Sequence, residues 1–197
     1  MDYMTELAAI ANKNGGIIET KTAAQHGISK AMLYKLCKAQ KIHRIVKGQY
    51  VLPEDMQDEL LSISRRSGKI IFSHETALFF HDLTDREPLK YSITVKTGYN
   101  PSRLREDGVQ VYTVKKELHG AGVTTAKTPF GHAVPVYDME RTVCDLLRSR
   151  SHMEIQVLQD ALKQYARRKD KNPRTLMQYA AMFHVEKMLR QYLEVLL

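Results

Sequence analysis

Apolar residues near the start of the chain repeat at helical spacing: Met4, Leu7, Ala8 and Ala11. The glycines after Asn14 end this first helix, because glycine readily adopts the left-handed cap conformation. Thr20 is expected to cap a second helix that ends at His26. After a turn, Ser29 is expected to cap a third helix that ends near Ala39. The pattern therefore predicts three short helices in close succession.

Two β-branched or aromatic runs follow these helices and flank a glycine. Residues 42–46 and 49–52 alternate around Gly48, which predicts a hairpin. Two helices joined by a tight turn and followed by a hairpin are typical of a winged helix-turn-helix. We place this domain in residues 1–53, since Pro53 and the acidic run after it favour a new element.

Residues 54–197 mix helical and strand patterns, which predicts a small α/β (α+β) domain with a helical C-terminal end. Helices are expected over 54–66, 75–81 with Ser73 or His74 as cap, 138–148 with Asp138 as cap, 153–168 and 173–196. Strands are expected over 69–72, 91–96, 109–114 and 133–137. Pro135 favours an edge or irregular position for the last strand.

Positive charge is concentrated in the first quarter of the chain. The formal net charge is +8, and residues 1–53 hold eight Lys or Arg against three Asp or Glu, a balance of +5. A basic domain attracts polyanions, so the sequence predicts double-stranded DNA as its partner. Cys37 and Cys144 lie far apart and outside any CxxC pair, which argues against a disulfide or a zinc site. Neither a signal peptide nor a membrane span is recognisable, so we expect a cytoplasmic protein with no membrane partner.

The predicted third helix carries the residues best suited to read DNA. Lys30, Tyr34 and Lys38 repeat every four residues and form one stripe, while Ile28 and Leu33 would face the core. Lysine neutralises phosphate, and hydroxyl groups bond phosphates or base edges. The full candidate set comprises Ser29, Lys30, Tyr34, Lys35 and Lys38 on the helix, and His43, Arg44, Lys47 and Gln49 on the hairpin.

Two motifs in the second part resemble those of the AbiEi family of antitoxins. The first is Ser73-His74-Glu75-Thr76-Ala77-Leu78, followed by His81-Asp82-Leu83-Thr84-Asp85 and Pro88. The second is Tyr137-Asp138-Met139-Glu140-Arg141-Thr142-Val143-Cys144-Asp145-Leu146-Leu147. Together with the basic N-terminal domain, the resemblance covers essentially the whole chain.

The resemblance implies a function in bacterial type IV toxin–antitoxin systems, which defend against phage by abortive infection. Members of the family counteract a nucleotidyltransferase-like toxin without forming a stable complex with it. Their N-terminal domain represses the shared promoter by binding inverted repeats, and the C-terminal domain provides antitoxicity. The resemblance thus implies an antitoxin and autorepressor without catalytic activity and without a cofactor.

Six residues of the two motifs are candidates for antitoxicity: His74, Glu75, Asp138, Glu140, Arg141 and Asp145. The structural alternative is a capped amphipathic helix in which Arg141 and Asp145 form an ordinary pair at four-residue spacing. His74 and His81 lie seven residues apart and outside the HExxH pattern, so no metal site is expected.

Two other functions are compatible with the residues. The first is a metal-dependent, nuclease-like enzyme that uses Asp138, Glu140 or Glu75, although no PD…ExK-like arrangement is present. The second is a transcriptional regulator whose second domain binds a small effector. The basic segment 167–174 is either a solvated connector or a second polyanion contact.

The oligomeric state stays open at this stage. Apolar residues of the C-terminal end belong either to the core or to a self-association face: Met182, Val185, Leu189, Tyr192, Leu193 and Leu196. Gly120-Ala121-Gly122 is too short for a nucleotide-binding loop and is expected to be a connecting loop.

Overall fold

The computed structural model describes residues 2–55 and 57–196, with side chains up to Glu194. The chain forms two compact units. The N-terminal unit comprises the residues up to Arg66 together with Thr128–His132, and the C-terminal unit comprises Ser67–Lys127 and the residues from Ala133 onward. The fold is mixed α/β, as the sequence predicts.

The N-terminal unit combines helices with a small antiparallel sheet of order β1-β3-β2. Its helices are α1 (Tyr3–Lys13), α2 (Thr20–Gln25), α3 (Lys30–Lys38) and α4 (Glu59–Arg65). Its strands are β1 (Ile18–Glu19), β2 (His43–Val46) and β3 (Gln49–Val51). The core is aliphatic and includes Leu7, Ile10, Ile18, Ala23, Ile28, Leu33 and Ile42, all nearly inaccessible to solvent.

A buried carboxylate ties the 128–132 turn to α4. Asp58 caps α4 by accepting from the backbone N–H of Leu61 at 3.0 Å. Its other oxygen, Oδ2, accepts from the Thr128 hydroxyl at 2.6 Å and lies 2.7 Å from Nδ1 of His132. The turn at 128–132 is thereby held inside the N-terminal unit. Helix α4 also belongs to this unit, beyond the domain boundary expected at residue 53, and begins only at Glu59.

The C-terminal unit contains a five-stranded sheet of order β6-β5-β4-β8-β7. Its strands are β4 (Ile71–Phe72), β5 (Ser92–Lys96), β6 (Gln110–Val114), β7 (Val123–Lys127) and β8 (Ala133–Tyr137). The pairs β4–β8 and β5–β6 are parallel, and the other two are antiparallel. Its helices are α5 (His74–Phe80), α6 (Ser102–Glu106), α7 (Met139–Arg148), α8 (Ile155–Arg167), α9 (Pro173–Met182) and α10 (Glu186–Leu196).

Helix α7 is the central helix of this unit. Every residue from Glu140 to Leu147 is buried, and the helix contacts α5, α8, α9 and α10. Apolar residues of these helices form the core, among them Leu78, Val143, Leu146, Leu158, Leu162, Leu176 and Leu189. None of the helices in the described part of the chain is long and apolar enough to cross a bilayer.

Three local predictions need correction. Thr20 is not the cap of α2 but its first residue, since Glu19 occupies the cap position. Of the two positions expected for Pro135, an edge or an irregular one, the edge is wrong, because β8 is between β4 and β7. Pro135 is tolerated there since β4 pairs with β8 at a single position, Phe72 with Val136, and requires few backbone donors. The helix predicted over 173–196 is divided into α9 and α10 near His184, whose φ is 58°.

Candidate nucleic-acid interface

Helix α3 is positioned by its cap and by two buried side chains. The Ser29 hydroxyl accepts from the backbone N–H of Met32 at 3.2 Å and satisfies one of the free donors of the first turn. Ile28 and Leu33 are fully buried and fix the inner side of the helix. The turn before α3 contains Gly27 at φ 77°, a conformation that favours glycine. The cap and the core contacts predicted for this helix are confirmed.

The outer side of α3 is basic. Lys30, Tyr34, Lys35 and Lys38 are all exposed, and Tyr34 retains 60% of its accessible surface. The Lys38 ammonium lies 5.1 Å from the centre of the Tyr34 ring. Lysine and tyrosine side chains in this arrangement present hydrogen-bond donors and positive charge to solvent.

The hairpin supplies a second exposed basic segment. His43, Arg44 and Lys47 are exposed, and Arg44 Nε donates to the Val46 carbonyl at 3.3 Å. The turn at Gly48 is anchored to the start of α2, because the Thr20 backbone N–H and hydroxyl both donate to the Gly48 carbonyl, at 2.9 and 3.2 Å. The hairpin tip is thus held in place beside α2.

Negative charge is missing from this part of the sequence. Residues 20–53 contain no Asp or Glu, but hold Lys21, Lys30, Lys35, Lys38, Lys41, Arg44 and Lys47. Two acidic residues elsewhere in the unit are engaged: Glu6 Oε1 lies 2.6 Å from His26 Nδ1, and Asp58 is buried. We call the exposed residues Lys30, Tyr34, Lys35, Lys38, His43, Arg44 and Lys47 the basic set. The positive charge of the basic set is not neutralised by a carboxylate in the described residues.

Gln49 does not belong to this exposed surface, although the sequence pattern placed it there. Its side chain is 5% exposed and forms a reciprocal pair with Ser62 of α4. Gln49 Nε2 donates to the Ser62 carbonyl at 3.1 Å, and the Ser62 hydroxyl donates to Gln49 Oε1 at 2.6 Å. Since the nitrogen and the oxygen of its side-chain amide both bond to Ser62, Gln49 joins β3 to α4.

The antitoxicity candidates on α7 are buried, and Arg141 is the centre of their contacts. Its guanidinium is inaccessible to solvent and lies 4.0 Å from the ring centres of Tyr137 and Phe183. Arg141 Nε donates to Asp145 at 2.9 Å, and Nη1 donates to the carbonyls of Leu118 and Ala121 at 2.9 and 2.8 Å. The remaining nitrogen, Nη2, is buried and has no hydrogen-bond partner among the described residues. Arg141 therefore joins α7 to the loop before β7.

Asp145 is held by two arginines. In addition to Arg141, Arg148 Nη1 donates to it at 3.2 Å, from a side chain that is 33% exposed. Burial raises the pKa of Asp145, and the two guanidinium groups oppose this shift. The pair predicted from four-residue spacing is thus present, but it is in the core rather than on the helix surface.

Asp138 and Glu140 bond to the helices that surround α7. Asp138 caps α7 through the Arg141 N–H at 2.7 Å and accepts from the Tyr179 hydroxyl at 3.2 Å. Burial raises the pKa of Asp138. Glu140 accepts from the Tyr165 hydroxyl at 3.0 Å and from the Asn172 backbone N–H at 2.7 Å. These carboxylates connect α7 to α8 and α9, and the cap predicted at Asp138 is confirmed.

His74 and Glu75 begin α5 and are also engaged internally. The His74 ring stacks on Tyr112 with 3.4 Å between ring centres, and its Nε2 lies 3.0 Å from the Ser149 hydroxyl. Burial, with the positive charges of Arg148 and Arg141, lowers the pKa of His74 to about 3. Glu75 accepts from the Ser92 hydroxyl at 2.9 Å. The six candidates therefore form a set of structural contacts rather than one open site.

Several residues of this network carry no signal in the sequence. Tyr165, Tyr179 and Asn172 are ordinary helix and connector residues until the fold brings them to α7. Gly122 is the exception, since it has φ 77° and an added Cβ would lie 2.7 Å from the Arg141 Cβ. A glycine in an otherwise unremarkable loop is the signal that could have shown this close approach.

The basic segment 167–174 is partly folded back on itself. Arg168 forms a two-point ion pair with Asp170 at 2.8 and 2.9 Å. The Lys171 ammonium donates to the carbonyls of Ala166 and Arg168 at the end of α8. Arg167, Lys169 and Arg174 are exposed.

Metal ligands do not converge in the part of the chain that the structure describes. No group of three or more His, Cys, Asp or Glu side chains is close enough to hold a metal ion. Cys37 is half-buried and Cys144 is buried, and both are free thiols.

Comparison with known proteins provides information on the fold alone. No family model matches the sequence, and no curated protein matches it. The structure is similar to the crystal structure of the RV2827C protein from Mycobacterium tuberculosis, with a TM-score of 0.68 and 13% sequence identity. The similarity covers 100% of this chain and 81% of that chain.

Proposed function

We propose that the N-terminal unit is a winged helix-turn-helix that binds double-stranded DNA, with α3 in the major groove and the hairpin as the wing. The observation that carries this proposal is the basic set, which is exposed and forms no ion pair with a carboxylate among the described residues. Short helices α2 and α3 joined by a tight turn provide the arrangement that such readers use.

The anchoring of the wing supports the same proposal. Thr20 bonds the hairpin tip to α2, and Arg44 and Lys47 belong to the same compact unit as α3. Phosphate contacts from such side chains fix the orientation of the domain on the duplex, and base contacts from α3 provide specificity.

We further propose that the chain is the antitoxin of a type IV toxin–antitoxin pair and represses its own promoter. The support is the resemblance of the two C-terminal motifs to AbiEi antitoxins. Those motifs lie in α5 and α7, the helices whose buried polar contacts organise the C-terminal unit. Their residues then act in antitoxicity by maintaining the shape of this unit rather than by contacting the toxin.

Binding of a fluorescein-labelled duplex from the chain's own upstream region tests the DNA proposal by fluorescence anisotropy. The variant Lys35→Glu/Arg44→Glu is expected to bind at least about a hundredfold more weakly, because each charge reversal replaces a phosphate contact by repulsion. The control Lys115→Glu/Lys116→Glu changes the net charge equally but at exposed residues of the C-terminal unit, and is expected to bind almost as the parent does. Equal losses in both variants would show that only net charge matters and would contradict the proposed interface.

Co-expression separates the antitoxin proposal from DNA binding. The Lys35→Glu/Arg44→Glu variant is expected to neutralise a neighbouring nucleotidyltransferase-like toxin while no longer repressing the promoter. If the parent protein leaves that toxin active, the antitoxin proposal is wrong, whatever the result with DNA.

A further inference from the structure

A cavity of about 760 Å³ lies in the C-terminal unit, lined by α8, α10 and the turn after α7. Its volume falls in the range of small-molecule sites, roughly 300–1,000 Å³. It is separate from the polar network around Arg141, and none of the motif residues lines it.

Helical spacing brings the lining side chains together. Gln159 and Lys163 are four residues apart on α8, and Met188 and Tyr192 are four residues apart on α10. Lys187, the residue directly before Met188 on α10, also lines the cavity. Two helices therefore provide ordered walls, and the left-handed turn at His184 sets the start of the second wall.

The cavity has an uncompensated positive charge. Among the described residues, Arg150, Lys163 and Lys187 line it, and no Asp or Glu does. Neither lysine forms an ion pair in the part of the chain that the structure describes. Two acidic residues of these helices are engaged elsewhere, since Asp160 accepts from Gln156 at 2.9 Å and Glu186 pairs with Arg190 at 2.9 Å, and Glu194 of α10 does not line the cavity. Three cations without a carboxylate select an anion of several charges.

The remaining wall is suited to a planar ring. Met188 and Tyr192 are half-buried, so part of the surface of each side chain is available to a ligand. Aromatic and thioether side chains stack well on heterocycles, and the amide of Gln159 can bond both donors and acceptors at a ring edge. A cationic part and an aromatic part in one cavity of this size match the two parts of a nucleotide.

We propose that this cavity binds a free nucleoside triphosphate, with the phosphates on Arg150, Lys163 and Lys187 and the base against Tyr192. The ligand is then an effector of the C-terminal unit, and the inference goes beyond DNA binding by the N-terminal unit and does not depend on it.

Isothermal titration of the full chain with ATP, inorganic triphosphate and adenosine tests the assignment. ATP is expected to bind more tightly than triphosphate, and adenosine more weakly than both, because the cations and the aromatic wall act together. The variant Lys163→Ala/Lys187→Ala is expected to weaken ATP binding at least tenfold, about the effect of losing charge-assisted contacts. Tyr192→Leu is expected to weaken ATP but not triphosphate.

A matched control uses two exposed cations of the 167–174 segment. Lys169→Ala/Arg174→Ala removes the same charge from outside the cavity and is expected to bind ATP as the parent chain does. The proposal is overturned if ATP does not bind at millimolar concentration, or if the control variant loses as much affinity as the cavity variant. A short uridine oligonucleotide that binds more tightly than ATP and is lost in the cavity variant would assign the cavity to RNA and would also overturn it.

Discussion

Replacing Arg141 by methionine tests whether the buried network organises the C-terminal unit. The substitution keeps an unbranched side chain but removes the donors to Asp145, Leu118 and Ala121. Among the described residues, the carboxylate of Asp145, which is 1% exposed, then retains only the hydrogen bond from Arg148. Because removing one partner of a buried ion pair costs about 3–5 kcal/mol, we expect the free energy of unfolding to fall by about 4 kcal/mol.

Urea unfolding followed by far-ultraviolet circular dichroism measures this loss, since the chain has no tryptophan. The control is Arg148→Met, which removes the other and half-exposed partner of Asp145 and is expected to cost less than about 1 kcal/mol. The double variant Arg141→Met/Asp145→Leu is expected to be more stable than the single variant Arg141→Met. The second substitution removes the buried carboxylate that the single variant leaves without its Arg141 partner. If Arg141→Met lowers the free energy of unfolding by less than about 1 kcal/mol, the buried network around Arg141 does not organise this unit.

Two further predictions concern the same unit. Gly122→Ala is expected to lower the free energy of unfolding by more than about 2 kcal/mol, since it combines left-handed backbone strain with a Cβ placed 2.7 Å from the Arg141 Cβ. The control is Gly98→Ala, at φ 89° in open space. Only the backbone strain applies there, so the free energy of unfolding is expected to fall by about 1 kcal/mol. For His74, the folded pKa of about 3 lies below the ordinary 6.5, so the unfolded chain takes up a proton first and stability is lost as the pH falls from 6.5 toward 3. Between pH 7 and pH 5 the parent is therefore expected to lose about 2 kcal/mol more than His74→Asn, as measured by urea unfolding at both pH values.

A specific experimental result would contradict each of these two predictions. Equal destabilisation by Gly122→Ala and Gly98→Ala would mean that the loop does not pass close to Arg141. An unchanged difference in stability between the two pH values in His74→Asn would mean that the histidine of the folded chain titrates as it does in the unfolded chain.

Local signals in the sequence are sufficient where an element is determined by its own residues. Ser29 and Asp138 are followed by helices whose apolar positions repeat regularly, and both residues cap the helices as predicted. The hairpin is likewise determined by alternation around Gly48. In each of these cases the cap or turn residue and the apolar pattern indicate the same element.

The sequence fails where a distant partner decides the outcome. Gln49 belongs to an exposed hairpin by its pattern, but Ser62, thirteen residues away, draws it into the core. Strand β7 is exposed at most of its positions and has no apolar alternation, so only its pairing with β8 reveals it. The break between α9 and α10 occurs at His184 without glycine or proline, between the buried side chains of Phe183 and Val185.

The candidate sites also differ in whether they can be predicted from the sequence. The basic set could be found because exposed charge is visible as an excess of Lys and Arg in one segment. The burial of Glu140, Arg141 and Asp145 could not be predicted from the sequence. Charged residues at helical spacing give the same pattern on an exposed helix face as in a core where they form ion pairs. The cavity near Lys163 and Lys187 has no sequence motif, because it arises from the packing of two separate helices.

The salt dependence of duplex binding tests the DNA-binding proposal most directly. In the parent chain, log affinity is expected to fall steeply and linearly with log salt concentration, because each phosphate contact releases counterions. The variant Lys35→Ala/Arg44→Ala is expected to reduce the magnitude of this slope by about 1.8 per bound chain, since each contact contributes about 0.9. An unchanged slope, or a parent chain whose affinity does not depend on salt, would contradict DNA binding through α3 and the hairpin.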